Sequence, residues 1–107
     1  MDAATAQRVL RLVGLGVRSR NAVVGVEQVR EAVKKGKVSL AIVAADGSEN
    51  SLSKVLPLLE ARRVRVIRTP SASELGRAVG REHTVAVGIT DEQLARGIRE
   101  SIEEKRV

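Results

Sequence analysis

Residues 23–37 read Val23-Val24-Gly25-Val26-Glu27-Gln28-Val29-Arg30-Glu31-Ala32-Val33-Lys34-Lys35-Gly36-Lys37. Val26, Val29, Ala32 and Val33 recur at helical spacing, so one face is apolar and belongs on a core. Glu27, Gln28, Arg30, Glu31, Lys34 and Lys35 are expected on the opposite, wet face. Gly25 stands just before the first turn, where glycine lets the backbone swing from a short extended Ala22-Val23-Val24 into the helix. Gly36 closes the helix after two lysines that suit the negative end of its dipole. A helix start with free backbone N–H groups therefore falls at a glycine, with Arg18 and Arg20 upstream. Such an end attracts anions, phosphate above all. The same residues also make an ordinary amphipathic surface helix with sensible caps.

Outward from this stretch, Val38 to Ala45 is a nearly continuous apolar run, the pattern of a strand buried on both faces. Asp46-Gly47 closes it, Ser48-Glu49-Asn50-Ser51 offers caps for a third helix, and Asp46 is expected to cap that same turn. Upstream, Asp2 can cap a first helix whose buried side is Val9, Leu10, Leu12 and Val13, with Gly14-Leu15-Gly16 as its stop. This Gly-x-Gly is no dinucleotide fingerprint, because it follows a helix and lacks the third glycine. Downstream, Pro57 predicts a kink or two short helices with the proline in the first turn of the second. Val64 to Ile67 alternates with Arg65 and Arg68, giving a strand with one wet face. Ser71 and Glu74 form a capping box for a short helix through Val79, which Gly80 ends. Val85 to Ile89 is another strand. Thr90 and Gln93 form a second box before a terminal helix whose charged last turns, Glu100 to Arg106, are expected to fray. Strands alternate with helices throughout, so helices should cover both faces of one sheet.

The 107 residues fit one domain, 1–107, with a real core. There is no Cys, hence no disulfide framework, thiolate zinc site or cysteine nucleophile. No apolar run approaches the roughly 20 residues a bilayer span needs. The first residues lack the basic-then-apolar order of a signal peptide, so a cytoplasmic protein without membrane contact is expected. Net charge is +6, which favours a polyanionic partner, nucleic acid before membrane. With no Phe, Tyr or Trp there is no platform for stacking bases. Nucleic acid would therefore be held through backbone amides, basic side chains and shape.

Several blocks resemble a known family. Gly25 with Ala32-Val33-Lys34-x-Gly36-Lys37, Leu40 to Asp46, Ser48-Glu49-Asn50, Leu56-Pro57-Leu58-Leu59-Glu60 and Glu74-Leu75-Gly76-Arg77-Ala78-Val79-Gly80 are similar to the ribosomal protein L-seven-Ae family of kink-turn RNA binders. The likeness spans about residues 8 to 96, is most specific in the Leu-Gly-Arg-Ala-Val-Gly block, and is greatest to small bacterial members. It implies a three-layer α/β/α sandwich around a central four-stranded mixed sheet. It also implies that a kinked RNA helix is gripped by the glycine-led helix start and by the loop after the Leu-Gly-Arg block. Archaeal and eukaryotic members carry Gly-x-Asn-Glu at that start, with a Lys three residues beyond. Their Asn and Glu positions fall on Glu27 and Gln28, and the Lys position falls on Glu31. Their second contact loop is apolar, whereas this one reads Arg81-Glu82-His83-Thr84.

The candidate recognition residues are therefore Gly25, Glu27, Gln28, Glu31 and Lys35, with Arg81, Glu82, His83 and Thr84 as a second wall. Glu27 and Glu31 also suit the positive end of the helix, and Glu31 can pair with Lys35 one turn on. Arg18, Arg20, Lys34, Lys37 and Arg77 are phosphate candidates, with solvated surface charge the alternative for each, and Arg18, Arg20, Lys34, Lys35 and Arg77 are expected to converge around Gly25. Arg62, Arg63, Arg65 and Arg68 form the densest basic run, read as solvated or as a weak ribosomal contact. His83 is the only histidine, which leaves no His-based metal cluster and no spare for a serine triad. No cofactor, metal or catalysis is expected. The expected partner is structured RNA (ribosomal RNA or an mRNA leader), with the ribosome a further candidate, and the expected state is a monomer. A protein-interaction module on the same fold is the alternative, and salt-dependent binding to structured RNA separates the two.

Overall fold

The computed structural model describes residues 1–69 and 71–103. Its elements are α1 (Ala3–Arg18), β1 (Ala22–Val24), α2 (Val26–Lys34), β2 (Leu40–Ala44), α3 (Glu49–Ala61), β3 (Arg65–Thr69), α4 (Ala72–Ala78), β4 (Ala86–Ile89) and α5 (Glu92–Glu103). The sheet runs β1-β4-β2-β3. β2 and β3 are parallel, while β4 runs antiparallel to both β2 and β1. Every residue of β2 is fully buried because the strand is central and covered on both sides. Leu40, Ile42 and Ala44 meet Val9, Leu10, Val13, Leu75, Ala95 and Ile98 of α1, α4 and α5. Ala41 and Val43 meet Val29, Val33, Val55 and Leu59 of α2 and α3. Such alternation between two apolar layers is why the run reads as continuous rather than amphipathic. The result is a three-layer α/β/α sandwich on a four-stranded mixed sheet.

Several expectations about single elements are corrected. α1 does not stop at Gly14 but continues to Arg18, with Gly14 and Gly16 both buried. A Cβ on Gly14 would stand 2.7 Å from the Ala78 carbonyl, and one on Gly16 would overlap Leu94. These glycines let α4 and α5 approach the helix. α3 runs through Pro57 as one helix, so of the two expected outcomes the division into two short helices does not occur. The carbonyl of Ser53 loses its partner there, but Ser53 and Pro57 are both exposed, so water can replace it. The neighbouring Lys54 carbonyl accepts from Arg30 Nη1.

Arg65 and Arg68 do not share a wet face. Three residues apart, they fall on opposite sides of β3, and Arg65 pairs with Glu103 at 3.2 Å. Asp46 caps α4, its Oδ1 accepting from the Ala72 N–H at 2.7 Å, while the Ser51 N–H donates to the Ser48 side chain. The cap of α5 is Asp91, which accepts from the Leu94 N–H, rather than Thr90. At the far end of α5, Ser101 is buried and Ile102 packs on the core, so this turn is anchored. Glu104 to Arg106 lie outside the described residues. Near its start Glu92 accepts from Arg99 at 2.8 Å, and this bond holds the Glu92 carboxyl below its ordinary range.

Candidate nucleic-acid interface

The start of α2 is built by Gly25, whose φ of 105° and ψ of 150° suit glycine and strain any other residue. Its N–H donates to the Ala86 carbonyl at 2.9 Å, which pins the turn to the beginning of β4. Gly25 brings no side-chain cap, so the first amides of α2 are left to an outside acceptor. The Gln28 side chain folds back over the turn, with Oε1 3.1 Å from where a Gly25 Cβ would stand.

Along α2 runs a groove of about 310 Å³ lined by Val23, Glu27, Gln28, Glu31, Ala32, Lys35 and Lys37. The spacing of 27, 28, 31 and 35 on one helix puts them on one stripe, and β1 contributes Val23 as apolar floor. Glu27 lies 3.7 Å from Arg30 at i, i+3. The anticipated Glu31–Lys35 pair does not form, and Glu31 has no ion pair among the described residues. The stripe is thus mixed in sign, with an amide between two carboxylates and two ammonium groups.

The loop after α4 is folded back on its own helix. The Arg81 N–H donates to the Gly76 carbonyl at 2.7 Å, and the Thr84 N–H donates to the Ala72 carbonyl at 3.0 Å. A Cβ at Gly76 would sit 2.8 Å from the Glu82 carbonyl, so the Leu-Gly-Arg block needs its glycine for this closure. Arg81, Glu82 and His83 are exposed, whereas Thr84 is buried and its hydroxyl finds no hydrogen-bond partner. Thr84 is corrected from surface wall to part of the packing under α4. The loop leads within two residues to Ala86, the residue bonded to Gly25, so the helix start and the loop stand side by side at one end of the sheet.

Of the basic candidates, Lys35 and Lys37 share the α2 groove with Glu27 and Gln28, and the others do not converge on Gly25. Arg18 and Arg77 line a separate groove between α1 and α4, in the layer opposite α2. Arg20 closes α1 with a φ of 65°, before β1, while Gly25 follows that strand. Lys34 ends α2, and its carbonyl accepts from Arg62 Nη1 at 3.4 Å. Arg62 is therefore a cap for α2 rather than a purely solvated charge. The sequence reading missed Val23 as floor and Arg11 beside Arg18. The second would have followed from the i, i+7 spacing of Arg11 and Arg18, had the helix been carried past Gly14.

A profile of the ribosomal protein L7Ae/L30e/S12e/Gadd45 family matches residues 7–98. The chain belongs to that family. Within it, the chain is 31% identical over 84 residues to the RNA-binding protein YlxQ of Bacillus subtilis, covering 78% of this chain and 84% of that one. A protein of the same description from Enterococcus faecium is 28% identical over 103 residues, covering 96% and 99%. Among solved structures, a Bacillus halodurans protein of unknown function superposes with a TM-score of 0.80 at 32% identity, covering 89% of this chain and 96% of that one. The Giardia lamblia 15.5kD RNA binding protein superposes with a TM-score of 0.78 at 24% identity, covering 97% and 89%, which establishes the shared fold. In this chain α2 starts just after Gly25, and the stripe beside it carries Glu27, Gln28 and Glu31.

Proposed function

We propose that this is a non-catalytic RNA-binding protein that recognises a kinked or bulged structured RNA of the kink-turn type. One juxtaposition carries the proposal: the uncapped, glycine-led start of α2 stands beside the exposed loop 81–83, with the groove of Gln28, Lys35 and Lys37 running away from it. Free amides suit a phosphate, Gln28 can both donate to and accept from a base edge, and the lysines suit the backbone beyond. The absence of aromatic residues directs recognition to shape and hydrogen bonds rather than stacking. The names of the Bacillus and Enterococcus relatives support the same class. The target would be ribosomal RNA or an mRNA leader in the cytoplasm, met by a monomer free or on the ribosome.

The mixed charge of the α2 stripe supports a second reading, a protein-interaction module on this fold, since Glu27 and Glu31 oppose phosphate. Titration against a kink-turn, a plain RNA duplex and a single strand separates the two. The kink-turn should bind best, and Gln28→Ala should cost it about tenfold while sparing the duplex, the scale of one or two hydrogen bonds. Equal affinity for kink-turn and duplex with no effect of Gln28→Ala rejects kink-turn recognition. Failure to bind any of the three favours the protein-interaction module.

A further inference from the structure

A second groove, of about 310 Å³, lies between α1 and α4, on the layer opposite the α2 stripe. On α1, Gln7, Arg11, Gly14 and Arg18 follow one another at i, i+4, i+7 and i+11, a single stripe along the helix. α4 contributes Arg77 and Ala78 from the other side. Gly14 sets the depth: with no side chain there, the Ala78 carbonyl comes within 2.7 Å of the Cβ position, and Leu10 adds an apolar side chain to the lining. Arg18 folds over this floor, its Nη1 3.4 Å from the same point.

Arg11, Arg18 and Arg77 are all exposed, and none has an ion pair among the described residues. The single carboxylate in the groove, Glu74, accepts from the Ser71 hydroxyl at 3.4 Å and leaves a positive excess. Three guanidinium groups in one trough repel one another unless an anion joins them. Their planar forks match phosphate in bidentate geometry, and no aromatic ring is present to hold a base.

We infer that the α1–α4 groove is a second phosphate-binding site, built for the backbone of RNA without regard to base sequence. The inference rests on the chain being an RNA binder, but not on kink-turn recognition by α2. RNA held at the Gly25 end would extend across loop 81–83 to this groove, so that two layers of the sandwich grip one molecule. With principal extents of 33 × 26 × 26 Å the protein is small enough for one structured RNA to reach both.

The test compares wild type, Arg18→Gln/Arg77→Gln and Arg18→Lys/Arg77→Lys, each bound to a kink-turn hairpin and to a plain RNA duplex over a range of salt. Thermal melts check that these exposed changes leave the fold intact. Each phosphate contact contributes close to one unit of slope in log affinity against log salt. The glutamine pair should flatten the slope by about two units for both RNAs and weaken both by the same factor, roughly tenfold or more at low salt. The lysine pair should restore most of the slope. If wild type binds kink-turn and duplex equally and Gln28→Ala proves silent, while the glutamine pair still weakens duplex binding, the groove stands and kink-turn recognition falls. An unchanged slope with both RNAs, or wild type that binds neither, overturns the inference and leaves the groove to another partner, such as an acidic protein segment. Tripolyphosphate provides the last arm. If it binds wild type but not the glutamine pair while RNA affinity is unaltered, the groove serves a free polyphosphate, and the RNA assignment is again overturned.

Discussion

Arg63 holds a φ of 57°, in the left-handed region that L side chains seldom enter, and closes α3 as Arg20 closes α1. Its N–H donates to the Glu60 carbonyl and that of Val64 to Leu59, the paired bonds of a Schellman turn. Gly36 and Gly80 hold the corresponding places after α2 and α4. Left-handed geometry costs an L-residue about 1–2 kcal/mol, and glycine gives back part of that in chain entropy. Arg63→Gly should therefore stabilise by about 0.5–1 kcal/mol, read as a higher urea midpoint at unchanged slope. A lower midpoint would mean the arginine side chain contributes more than its backbone loses. Thr84 makes the complementary case, a buried hydroxyl with no hydrogen-bond partner. Thr84→Val keeps the shape and removes the desolvated group, so a gain of about 1 kcal/mol with unaltered RNA affinity is expected. Lost RNA affinity would return Thr84 to the contact surface. Neither role was legible in sequence. A glycine advertises a left-handed turn and an arginine does not, and a threonine in the tetrad Arg81-Glu82-His83-Thr84 looks as wet as its neighbours. Asp46 was misplaced for the same reason: local spacing offers it the turn at Ser48, whereas its partner Ala72 lies 26 residues away.

α1 shows how an element's meaning depends on what packs against it. Glycine after an apolar run normally marks a helix end, and Gly14 was read so. Inside α1 it instead makes room for the Ala78 carbonyl. Gly97 in α5 is the contrast, since nothing lies within 4 Å of its Cβ position. Alanine should improve either helix by about 1 kcal/mol on propensity alone. At Gly14, pushing a methyl against backbone costs about 1–3 kcal/mol and outweighs that gain. Gly14→Ala is thus expected to lower the melting temperature and Gly97→Ala to raise it, and two shifts of the same sign would refute the packing argument. Pro57 teaches the same lesson, because its missing N–H faces water and α3 tolerates it. The elements that were legible, α2 and β2, carry unbroken patterns: a one-sided apolar stripe and a strand buried on both faces. Their reading needs no knowledge of neighbours.

At the scale of the whole molecule, the layers follow from the alternation of strands and helices, but the distribution of charge over them does not. Arg18, just upstream of Gly25, and Arg77, in the Leu-Gly-Arg block, are expected at the Gly25 end, and the sandwich carries both to its other layer. The net charge of +6 attracts any polyanion, so a local claim about the α2 stripe must be separated from that general attraction. Glu31 allows the separation. It lies in the groove without an ion pair among the described residues, at the position where archaeal and eukaryotic family members present a lysine. Glu100 on α5 is exposed in the opposite layer. Two helix-to-sheet spacings of about 10 Å each lie between the layers, on the scale of packed elements, while the Debye length is about 8 Å at physiological salt. A charge on α5 is therefore largely screened from RNA on α2, and a charge on α2 is not. In the Arg18→Gln/Arg77→Gln background, which takes the α1–α4 groove out of play, Glu31→Lys should tighten kink-turn binding by about tenfold or more, whereas Glu100→Lys, with the same change in net charge, should alter it by less than about twofold. Lowering the salt should raise the affinity of both variants and narrow the gap, since the screening length grows to about 30 Å at 0.01 M. Both residues are good helix formers and Glu31 has no pair to lose, so melting temperatures should stay level. Equal gains at physiological salt would assign the binding to net charge alone, and no gain from Glu31→Lys would show that the α2 groove does not face phosphate.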